Sequence, residues 1–96
     1  MKLVRDKIPQ LAPHRTFRKA TERELPQLVA DKVVEEADEV FDAKIPEELT
    51  EELADLYTIA RKLAEVRGIS WDVILAKAEE KNAEKGEFNE NWILLK

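Results

Sequence analysis

The stretch from Pro46 to Arg67, "PEELTEELADLYTIARKLAEVR", repeats its apolar residues at the spacing of an α-helix and carries an acid inside its own apolar face. At about 100° per residue, Leu49, Leu53, Leu56, Tyr57, Ile59, Ala60, Leu63 and Ala64 share one broad side, and Glu52 falls in angle between Ile59 and Leu63. A helix of this kind has to bury that side against another element, and Glu52 then leaves bulk water with it. An ionised carboxylate in such a place costs several kcal/mol unless a proton, a basic side chain or an ion answers it. Asp55, three residues on, lies at the margin of the same stripe, so the two acids can converge on one point.

A second acid-bearing helix precedes it. Periodicity predicts a helix from about residue 25 to 42, with Val29, Val33, Ala37 and Val40 as its stripe, Glu36 at the stripe's edge and Glu39 one turn away beside it. The short connection "DAKIP" makes the two helices antiparallel, bringing Glu36 and Glu39 opposite Glu52 and Asp55. Oxygen-only donors suit hard ions, and Mg²⁺ prefers a few carboxylates together with water and substrate phosphates. The competing reading makes Glu52 a buried acid paired with a base such as Lys32. The remaining acids, among them Glu47, Glu48, Glu51, Glu65, Glu79 and Glu80, read as solvated surface.

The other boundaries follow from local chemistry. Thr21 and Glu24 have the spacing of a capping box, and Pro26 suits a first turn. Pro46 opens the second long helix, with Glu47 and Glu48 at its positive end, and Gly68 stops it after Arg67. Ser70 caps a third helix from Trp71 to Lys85, closed by Gly86. Residues 1–20 show no helical period; "TFRKA" reads as a short strand, and so does the tail "FNENWILLK". The expected fold is all-α: antiparallel helices behind an irregular N-terminal arm, in one domain of 96 residues. Trp71, Tyr57, Phe41 and Trp92 read as core or subunit-contact residues rather than platforms for stacking a base, and His14 as a surface residue. Three helices are too few to close a bundle around two acid-lined ones, so the expectation is a homodimer or tetramer.

Composition removes several function classes. The absence of cysteine excludes thiolate chemistry and disulfides, and a single histidine cannot build an imidazole metal site. A net charge of −5 argues against nucleic-acid binding. No segment reaches the roughly 18 apolar residues of a membrane span, and "MKLVRDKIPQ" lacks the apolar run of a secretory signal, so the expected location is cytoplasmic.

"EEADE" followed twelve residues later by "ELAD" resembles the paired acidic motif of the MazG-like all-α nucleotide pyrophosphohydrolases, a superfamily that includes phosphoribosyl-ATP pyrophosphohydrolase. The match falls residue by residue on Glu35, Glu36, Glu39, Glu52 and Asp55. The opening "KLVRDKIP" is similar to the start of the phosphoribosyl-ATP pyrophosphohydrolase-like branch, and "KNAEKGEF" followed by "WILL" to its ending. Lys85 stands where that branch usually has arginine, and Glu87 replaces its second glycine. The resemblance implies cleavage between the α and β phosphates of a nucleotide, with Mg²⁺ or Mn²⁺ held by Glu36, Glu39, Glu52 and Asp55. Glu35 is then the candidate base toward water, or the ligand of a second ion. Lys81 and Lys85 become candidates for binding phosphate, with Arg5 and Lys7 from the arm, and Asn82 for reading a base. Three functions fit: a house-cleaning nucleoside triphosphate pyrophosphohydrolase, the biosynthetic enzyme acting on phosphoribosyl-ATP, and a non-catalytic dimeric helical module.

Overall fold

A computed structural model describes all 96 residues and contains four helices and no strand. They are α1 (Ile8–Leu11), α2 (Leu25–Asp42), α3 (Pro46–Val66) and α4 (Trp71–Lys85). The all-α expectation and the three long helices hold, and no helix is long and apolar enough to cross a membrane.

Each long helix begins and ends for a local reason. Before α2, the Thr21 N–H donates to Glu24 Oε1 at 3.0 Å while the Glu24 N–H donates to Thr21 Oγ1 at 3.2 Å, the reciprocal pairing of a capping box. The Arg18 guanidinium holds the same Glu24 through two bonds of 2.8 Å, which tie the arm to the start of α2. These bonds, Arg18's first, hold the Glu24 carboxyl down at about 2. At the start of α3, Glu48 reaches back to accept the Lys44 N–H at 3.0 Å. Its end is a Schellman motif: the Ile69 N–H donates to the Ala64 carbonyl at 2.9 Å and the Gly68 N–H to the Glu65 carbonyl at 3.0 Å. Gly68 sits at φ +73°, a conformation that favours a residue without Cβ.

Four local expectations change. The arm contains α1, which periodicity does not reveal because it is a single turn; Pro9 is tolerated there because a first-turn N–H has no helical partner. Neither "TFRKA" nor the tail is a strand, since no neighbouring strand exists to take up their backbone groups. Ser70 occupies the N-cap of α4 but makes no side-chain cap bond; its carbonyl accepts from Val73 and Ile74 instead. In α2, Ala37 is exposed and Glu36 is buried, the reverse of the expected stripe. The seam against α3 is therefore turned by about one position, along Val29, Val33, Glu36 and Val40.

The core is the antiparallel α2–α3 pair, with α4 touching only α3. Val29 at 0% exposure and Ala64 at 7% are its buried apolar residues, and only the valine is buried completely. Burying a side chain of the valine kind stabilises by about 1.5–3 kcal/mol, so one such residue is a small core. The radius of gyration of 16.8 Å exceeds the roughly 12–13 Å of a compact chain this long. At the α3–α4 corner Tyr57 meets Trp71 edge to face at 5.8 Å, and Arg61 lies over both rings.

Candidate metal centre

Glu36 stands two-thirds of the way along α2 on the side that packs against α3, and the antiparallel return of the chain sets Glu52 and Asp55 opposite it. One carboxylate oxygen from each of Glu36, Glu52 and Asp55 lies within 4.8 Å of the other two. Glu36 is 8% exposed, the one charged residue that the fold buries, and the other two are half-buried. Glu39 is exposed one turn along α2 and falls outside this triple, yet its charge acts on Glu52.

The three acids are not answered equally. Lys32, one turn before Glu36, places its Nζ 3.3 Å from Glu36 Oε1. Arg5 of the arm forms an ion pair with Asp55. Glu52 has no cation: desolvation, then the charges of Glu39, Asp55, Glu36 and Glu51, raise its pKa. The pairing of Glu52 with Lys32 does not form, because Lys32 turns to the acids of its own helix. A group of carboxylates with one member unrelieved at a helix seam fits a hard divalent cation, which supplies the missing positive charge and accepts oxygen donors.

Glu35 points to another side of α2. It accepts from Lys2 Nζ at 3.4 Å and Lys32 Nζ at 3.3 Å. Desolvation acts to raise its pKa, but the bonds and charges of Lys32 and Lys2 outweigh it, and the net shift is downward.

The remaining predicted residues separate into two groups. Arg5 reaches the carboxylates, whereas Lys7 is exposed at the N-cap of α1. Lys81, Asn82 and Lys85 are exposed on the last turns of α4, none of them lining the cavity beside the carboxylates. That cavity, about 350 Å³, opens between the arm and the α2–α3 seam. Glu36 and Asp55 form part of its wall, together with Arg5, Lys32 and Lys62. Lys62 is absent from the residues that sequence alone singles out. Its signal is its place seven residues after Asp55, two turns along the same face of α3.

Residues 1–82 match the family described as Phosphoribosyl-ATP pyrophosphohydrolase. No curated protein and no solved structure matches the chain.

Proposed function

The chain belongs to the phosphoribosyl-ATP pyrophosphohydrolase family, within the MazG-like nucleotide pyrophosphohydrolase superfamily, and on that premise we propose that it hydrolyses the α–β phosphoanhydride of a nucleotide with a divalent cation held by Glu36, Glu52 and Asp55. The products are a nucleoside monophosphate, or its phosphoribosyl counterpart, and pyrophosphate. The observation that carries this reading is the convergence of three carboxylates from two helices to within 4.8 Å, one of them without a counter-charge.

Bound there, Mg²⁺ or Mn²⁺ supplies charge neutralisation at the phosphates and a lowered pKa for coordinated water. The protein's own groups do the rest. Glu36 and Asp55 fix the ligand geometry because the helix seam fixes their backbones. Glu39 stands outside the triple and adds to its negative potential through its charge on Glu52. Glu35, adjacent to Glu36 but on another side of α2, is the candidate base toward water or ligand of a second ion, and the lysines that lower its pKa weaken it as a base.

Two substrates suit this chemistry. A noncanonical or excess nucleoside triphosphate fits a house-cleaning role, and phosphoribosyl-ATP is favoured by the description of the matching family. Pyrophosphate release measured over a panel of nucleoside triphosphates and phosphoribosyl-ATP separates them. Glu52→Gln is expected to lower turnover by about 100-fold or more, at least the loss that follows disturbance of a metal's outer ligands. Turnover at the wild-type rate in that variant rejects the site.

The working unit is a homodimer or a larger even assembly. Leu49, Leu53 and Tyr57, at 38%, 47% and 52% exposure, form an apolar row along α3 that the chain leaves largely open, with Trp71 of α4 meeting only the edge of the row at Tyr57. A second copy covers such a row and completes the bundle.

A further inference from the structure

The cavity beside the carboxylates has a wall of mixed sign. Three cations, Arg5, Lys32 and Lys62, stand against four acids, Asp6, Glu36, Asp55 and Glu65, a formal sum of −1. Two of the cations are engaged with acids of the metal centre: Arg5 with Asp55, and Lys32 with Glu36 at 3.3 Å. The third, Lys62, is tied only by a 3.5 Å contact to Glu65, and 40% of its side chain is exposed. As it stands the wall repels a polyphosphate. Two positive charges placed on Glu36 and Asp55 bring the sum to +1, release Arg5 from Asp55 and leave Lys32 with Glu35 as its one remaining partner.

We propose that Arg5, Lys32 and Lys62 form the subsite for the leaving pyrophosphate, with Arg5 and Lys32 exchanging a carboxylate of the metal centre for a phosphate oxygen once a divalent cation is bound. This rests on the metal reading above and adds to it where the departing phosphates go. Three features of the fold support the assignment. The cavity shares Glu36 and Asp55 with the metal centre, so a phosphate chain held at one reaches directly into the other. Its volume of about 350 Å³ is within the range of small-molecule sites, about 300–1,000 Å³. Asp55 and Lys62 lie about 10 Å apart along one face of α3, two helical turns, and the long lysine side chain spans part of that distance. The same partner exchange orders the events: the cation enters first, and the anion follows into a wall whose sign it has reversed.

Calorimetric titration of pyrophosphate into the whole protein, with saturating Mg²⁺ and with chelator, tests the subsite, beside a separate titration of Mg²⁺ alone. Wild type is expected to bind pyrophosphate at least about tenfold more tightly with Mg²⁺ than without. Lys62→Met is expected to take up Mg²⁺ as wild type does, which also shows it folded, and to bind pyrophosphate about tenfold more weakly, the loss of one charge-assisted bond. Lys62→Arg restores most of that affinity, and Lys77→Met, on the open face of α4, changes nothing. Lys32→Met carries the opposite signs together: tighter Mg²⁺, because a competitor for Glu36 is gone, and weaker pyrophosphate. Normal Mg²⁺ uptake with undiminished pyrophosphate affinity in both Lys62→Met and Lys32→Met overturns the subsite while leaving the metal centre standing. Failure of wild type to take up Mg²⁺ at all overturns the metal centre and the subsite with it.

Discussion

Glu52 is held where its charge is least welcome. Its raised pKa means that the folded chain binds its proton more tightly than the unfolded chain does. The fold is therefore favoured at low pH and loses stability as pH climbs above the ordinary glutamate value of 4.5 toward the folded one, after which the penalty stays constant. In metal-free solution Glu52→Gln is expected to melt above wild type at pH 7, and the difference is expected to vanish as pH falls below about 4, as thermal unfolding at several pH values will show. A lower melting temperature for the variant at pH 7 contradicts this account of the residue. Position on the helix was enough to single out Glu52 and Asp55 from sequence, because a 3.6-residue repeat assigns a side. It did not predict the burial of Glu36, which depends on how α2 is turned against α3. Lys62 was missed for a related reason: a lysine two turns from an acid is ordinary on any helix until the arm closes a cavity around it.

The helices were legible because their punctuation is local. Pro46, Gly68 and Gly86 mark boundaries within a residue of where they fall, and Thr21 with Glu24 marks the start of α2 by bonds that involve no distant partner. The arm and tail are not legible in this way because a strand, unlike a helix, needs a second segment to exist, and no short-range pattern reveals that none is present. Thr21→Ala removes the hydroxyl that receives the Glu24 N–H and is expected to cost about 0.5–2 kcal/mol, with α2 fraying first. Urea unfolding measures the first and hydrogen exchange at residues 25–28 the second. Unchanged stability with normal protection in that turn rules out the capping box as the anchor of α2.

For the whole molecule, the shortage of buried apolar residues sets the behaviour. One fully buried valine and a radius of gyration of 16.8 Å describe a chain with a small core, and the row of Leu49, Leu53 and Tyr57 lies beside Glu52 on α3. On the proposed function, the assembly face and the metal centre share one helix. Leu53→Glu is expected to halve or quarter the mass found by light scattering for wild type; a wild-type mass in the variant places the interface elsewhere. The width of the α3 stripe is legible in sequence, and one neighbouring helix covers only part of it. The most direct test of the central claim is an anomalous difference map from crystals grown with Mn²⁺. The account predicts a peak between the carboxylates of Glu36, Glu52 and Asp55, at about 2.0–2.3 Å from their oxygens. A map with no peak there, and Glu52 turned to solvent or to a lysine, contradicts it.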